Sequence, residues 1–173
     1  MCLLGLLLTG CVARAPRASI VPTWELASAE PVAPVLVART RVSFDRPLPA
    51  ELTQELCPEY ALILITKPGD WAEVCRRLSL PAAAAELDLG AGAVIGLQAN
   101  VGECAESAWP IRLTSVRRQS DIAWVEGSFA SGIYYPLQTA GYLELVHAPG
   151  VSRVSMVRIN HRTFMIHAMA PYH

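Results

Sequence analysis

Histidine is the side chain whose charge changes near neutral pH, and of the four in this chain His147, His161 and His167 head any search for acid-base or metal chemistry. His147 and His167 fall near the ends of predicted strands and His161 in a predicted turn, positions where surface or hydrogen-bonded histidines are the ordinary outcome. Ser131, in FASGIYYP, has no neighbouring base to make it a nucleophile. The chain has no glycine loop to cradle a phosphate, no Gly-x-Ser-x-Gly elbow and no His-Glu-x-x-His pair. Cys-x-x-Cys and close Cys/His spacings are missing too, so no metal, cofactor or catalytic residue is expected. The best functional candidate is a binding one. SGIYYPLQTAGY (131–142) sets Tyr134, Tyr135 and Tyr142 among Gly132, Pro136 and Gly141, so a loop presents rings that combine contact area with a hydroxyl. Trp109 joins them if the two loops share an end of a sheet. The alternative is that these rings cap a core.

The thiols depend on the compartment. Seven of the first eight residues in MCLLGLLLTGC are apolar, about half the ~20 residues a membrane-crossing helix needs. A short apolar run followed by small residues has the form of a secretory signal with its processing site. Leu8-Thr9-Gly10-Cys11 also resembles the bacterial lipobox, which implies a lipid on the Cys11 thiol and cleavage before it. Residues 1–10 are then a signal peptide, and residues 11–34, with four prolines and no periodicity, a tether holding a domain off the membrane. The expected location is the bacterial cell envelope, facing the periplasm or the exterior, with the membrane as one partner through the lipid. There disulfides persist, and Cys57, Cys75 and Cys104 remain. Cys75 shares a helical face with Trp71, Val74 and Leu78 and reads as a buried small hydrophobe. Cys57 and Cys104, both in loop-like contexts, are the better pair for one bridge.

These side chains must be positioned by a single domain, 35–173, and the 53% hydrophobic and 17% charged residues of the whole chain describe a packed core. The net charge of −1 excludes nucleic acid as an expected partner, because a basic face is what such binding uses. VLVARTRVSF (35–44) predicts a strand and DRPLPAELTQELCPE a loop. YALILIT (60–66) and GAVIGLQANVG (92–102) are apolar runs typical of buried strands. Between them KPGDWAEVCRRL predicts a helix with a cap-like Asp70/Glu73 start, and PAAAAELD a short helical turn. After residue 109, PIRLTSVRR, DIAWVEGSF, GYLELVHA, VSRVSMVRI and RTFMIHA follow one another, with turns at Gln119-Ser120-Asp121, Pro149-Gly150 and Asn160-His161. The expected class is α+β, β-dominated: an antiparallel meander sheet curled into a sandwich or partly open barrel, with one early helix packed on it.

The order of these features over residues ~60–167, from a helix beginning Gly-Asp-Trp-Ala-Glu through Ala-Val-Ile-Gly-Leu to Tyr-Leu-Glu-Leu-Val-His-Ala-Pro-Gly and a final hairpin, resembles the C-terminal domain of the protease-complex subunit PrcB. That resemblance implies a secreted or lipid-anchored protein that binds and stabilises a partner protease without catalysing anything. The leading expectation is therefore a non-enzymatic, lipid-anchored module for another envelope protein. A small-ligand or glycan binder using the aromatic loop is the alternative, and a hydrolase the weakest.

Overall fold

The computed structural model describes residues 28–100, 109–130 and 140–166. Its architecture follows from two strands that are apolar without alternation. β4 (Tyr60–Ile65) and β5 (Gly92–Ala99) are buried on both faces, which requires a layer above and a layer below. One sheet has the order β2-β8-β5-β4-β3, with β2 at Val35–Ser43, β3 at Thr53–Cys57 and β8 at Ala140–Pro149. Its neighbours all pair antiparallel. The second sheet has the order β1-β6-β7-β9-β10, built from Glu30–Val32, Ile111–Gln119, Ile122–Phe129, Arg153–Ile159 and Arg162–Met165. Leu62, Ile95, Leu97, Ile111, Val116, Val125, Val146, Val157 and Ile159 fill the space between the sheets. The class is α+β, dominated by β-structure, and the sheets form a sandwich, not a closed barrel.

Helix α1 (Pro68–Leu78) covers the outer face of the first sheet. Trp71, Val74 and Cys75 recur at helical spacing and pack on Ile63, Ile65, Val94, Leu143 and Leu145. The short helix α2 (Ala82–Ala85) is pinned to it by Trp71, whose Nε1–H donates to the Ala84 carbonyl at 2.9 Å. The expected Asp70/Glu73 cap is not the start of α1. The helix begins at Pro68, whose ring presets φ and which has no N–H to satisfy, and Asp70 lies in the first turn. Glu73 instead binds Arg76 at 2.8 Å and Arg77 at 2.6 Å. Ser79 ends the helix in the left-handed conformation at φ 51°, while the Leu80 N–H returns to the Cys75 carbonyl at 2.9 Å.

Three features depart from the sequence reading. Residues 30–32, within the segment read as tether, form β1 against β6, and Pro31 is tolerated because β1 is an edge strand. The predicted loop between Asp45 and Glu59 contains a 3₁₀ turn (Ala50–Leu52) and β3, a half-buried edge strand. Finally, the C-terminal strands are not a meander. β8 is buried on both faces and so takes the centre of the first sheet, between β2 and β5. Its neighbours in sequence, β7 and β9, are left side by side and parallel. The three predicted turns are where expected, with Ser120, Gly150 and Asn160 at positive φ.

Candidate functional site

β2 is the last strand of its sheet, and among the described residues no strand pairs with its outer edge. It is nine residues long and carries an extra residue, Val37, where its register against β8 shifts. The side chains across from it on β8 come in two sets. Thr40 and Val42 lie beside Leu143 and Gly141 on the helix side, while Arg39 and Arg41 lie beside Glu144 and Tyr142 on the side facing the second sheet.

Glu144 holds the two sheets together. The residue is 2% exposed, and its carboxylate accepts from the Arg39 Nε at 2.6 Å and from the backbone N–H of Leu113 at 2.8 Å. That N–H is available because β6 has an extra residue at Thr114, where the β6–β7 register shifts. A buried carboxylate stripped of its cation leaves an uncompensated charge, at a cost of ~3–5 kcal/mol, so Arg39 is structural as well as superficial. Next along the strand, the Arg41 guanidinium stands 5.0 Å from the Tyr142 ring centroid, and its Nη2 donates to the phenol oxygen at 3.0 Å. Trp109 meets the same ring edge-on, with centroids 5.1 Å apart and planes at 82°. The Trp109 Nε1 is buried without a hydrogen-bond partner.

Of the four aromatic residues expected to bind, the structure thus brings Trp109 and Tyr142 together, and Tyr134 and Tyr135 lie outside the described residues. Tyr142 lies in β8, not in a loop, and its ring is buried in the core between the sheets. Glu144 and the two arginines were not singled out in the sequence. The signal was present in Tyr-Leu-Glu-Leu-Val, where a carboxylate interrupts an apolar strand and needs a partner. Edge exposure had no such signal. Val35, Leu36 and Phe44, the large apolar side chains left exposed among the described residues, all sit on β2 or one residue past it, at 58%, 50% and 37% exposure.

The remaining candidates are dispersed. His147 lies opposite Val35 and Val94 with a buried, unpartnered Nε2, whereas His161 is exposed in the β9–β10 turn, and His167 and Ser131 lie outside the described residues. Among the described residues no three His, Cys, Asp or Glu side chains gather as metal ligands. Cys57 ends β3 as a free thiol; burial, then its hydrogen bond with Glu59, pushes its pKa up. Cys75 is free and buried under α1, and burial raises its pKa as well, so neither favours the thiolate. Cys104 and Cys11, the expected disulfide partner and lipid site, lie outside the described residues. No described helix is long and apolar enough to cross a membrane.

Compared with family models, curated proteins and solved structures, the chain matches none.

Proposed function

We propose that this chain is a non-enzymatic, lipid-anchored protein of the bacterial cell envelope that binds and stabilises another protein, with Cys11 carrying the lipid and residues following it acting as the tether. The observation that carries the binding role is the β2 edge. A long strand to whose outer edge no described strand pairs, with Val35 and Leu36 exposed at its start and Phe44 just past its end, offers main-chain hydrogen bonds and contact area to another chain. The neighbouring chemistry supports binding over catalysis, since the charged side chains on this flank are engaged in holding the sheets. A protease as the partner is what the resemblance to PrcB adds.

Affinity capture of the full chain from detergent-solubilised membranes, followed by mass spectrometry, tests the reading. One co-purifying protein, recovered in comparable molar amount, is expected. Cys11→Ser should take up no radiolabelled fatty acid and leave the membrane fraction. Equal labelling of the two forms, or capture that yields no protein above background, refutes the reading.

A further inference from the structure

The β2 edge is charged as well as apolar, and its charge discriminates among occupants. Arg39 and Arg41 project from the strand on one side, and Arg39 is 39% exposed along its side chain with only its Nε engaged by Glu144. Guanidinium has five N–H donors, so such an arginine retains capacity for a second carboxylate. The acid already present cannot serve a newcomer, since the Glu144 side chain is 3% exposed. Leu36 faces the same side as the arginines, because the extra residue Val37 puts Leu36 across from Val146 and Arg39 across from Glu144. The edge therefore reads apolar, then cationic, along one face.

A second copy of this chain suits that edge poorly. Antiparallel self-pairing over the whole of β2 sets Arg39 against Arg39, a slip of two residues one way sets Arg39 against Arg41, and the parallel register opposes both pairs. Like charges directly opposite one another destabilise a sheet. A strand with carboxylates at those positions gains from both.

We infer that β2 receives an extended segment of the partner protein as a sixth strand of its sheet, with acidic residues opposite Arg39 and Arg41 and apolar ones toward Leu36. This rests on the protein-binding reading above and adds where the partner docks and what its segment contains.

The test places a photo-crosslinking phenylalanine analogue at Leu36 of the full chain in its own cells, with the same analogue at Thr163, on the far edge strand β10, as control. The crosslinked peptide is read by mass spectrometry. Crosslinks from position 36 to one other protein, at a segment combining Asp or Glu with apolar residues, are expected, with at least tenfold less product at position 163. Arg41→Glu should lower the yield at position 36 at least tenfold, and its urea midpoint should confirm that it folds. If it does not fold, Leu36→Lys at the partner edge, probed from Val35, replaces it. Crosslinks to a second copy of this chain, or to lipid, overturn the inference. So does a yield unchanged by either substitution. Absence of crosslinks while affinity capture still returns a partner removes the β2 site and leaves the protein-binding reading standing; failure of both experiments removes both.

Discussion

Trp71 is the side chain whose loss should be felt most in the helix layer. It is 1% exposed, packed with Val74 and Cys75 on Ile63, Ile65, Leu143 and Leu145, and its indole N–H holds the Ala84 carbonyl of α2. A buried aromatic of this kind removes ~150–250 Å² from water, worth ~4–6 kcal/mol at ~25 cal/mol per Å². Measured Trp or Phe to Ala replacements in cores cost ~3–5 kcal/mol, so Trp71→Ala should cost ~4 kcal/mol. Trp71→Phe keeps most of the ring and loses the hydrogen bond, for ~1–2 kcal/mol. With a urea m-value of ~2 kcal/mol per molar, the alanine variant should unfold ~2 M earlier than the parent, against a total stability of ~5–15 kcal/mol. Arg76, 72% exposed and paired with Glu73 on the solvent side, supplies the contrast: Arg76→Ala should leave the midpoint nearly unmoved. Urea unfolding followed by far-ultraviolet circular dichroism measures all three. Coincident midpoints for Trp71→Ala and Arg76→Ala would refute the packing of α1 on the sheet as the source of its stability.

Glycine substitutions test how tightly the central strands approach. A Cβ on Gly92 would lie 2.3 Å from the Ala148 carbonyl oxygen and 2.9 Å from the Pro149 Cα, backbone that cannot step aside, so Gly92→Ala should cost at least ~1–3 kcal/mol in thermal or urea unfolding. Gly69, in the first turn of α1, has nothing within 4 Å of a Cβ, and Gly69→Ala should be neutral or stabilise by up to ~1 kcal/mol. Acid should erode stability through Glu73 and Asp121, both held down to about 2, the first by hydrogen bonds from Arg76 and Arg77 and the second by those from Arg153 and Ser152. A folded pKa below the ordinary 4.5 and 3.8 stabilises fully above those values and is lost as pH falls toward 2. The urea midpoint should therefore drop across that window, and less steeply in Glu73→Gln/Asp121→Asn; identical slopes would contradict the assignment. Under oxidising conditions Cys57 and Cys104 should be found in one disulfide by non-reducing peptide mapping, with Cys75 unreactive to iodoacetamide until unfolding. A bridge containing Cys75 would contradict it.

What the sequence made legible was whatever depends on neighbours along the chain. The 3.6-residue recurrence of Trp71, Val74, Cys75 and Leu78 located the covering face of α1, and the uninterrupted apolar runs of β4 and β5 announced layers on both sides. Turn residues fixed three of the connections because only a few side chains accept positive φ. β1 and β3 were hidden by Pro31 and by the prolines around residues 47–58, which punctuate loops and edge strands alike. The parallel pairing of β7 with β9 follows from the preference of β8 for the other sheet, a competition among strands that no local pattern records. For the same reason the flank was legible only in part. Trp109 and Tyr142 could be named as aromatics, yet their contact, the Arg41 cap and the Arg39–Glu144–Leu113 link join residues 31 to 105 positions apart.

The late position of β8 has a consequence for how the chain reaches this state. Among the described residues β2, at residues 35–43, has no partner in its sheet except β8, at residues 140–149. Until that strand arrives, the first sheet is two fragments, β2 alone and the β3–β4–β5 ribbon, with the apolar underside of α1 only partly covered. Closing so large a loop before any contact rewards it makes folding slow and the final step strongly cooperative. The nascent chain therefore stays uncommitted until residues 140–149 have been made, and β2 spends that interval as an open, apolar edge that a holding chaperone would have to guard.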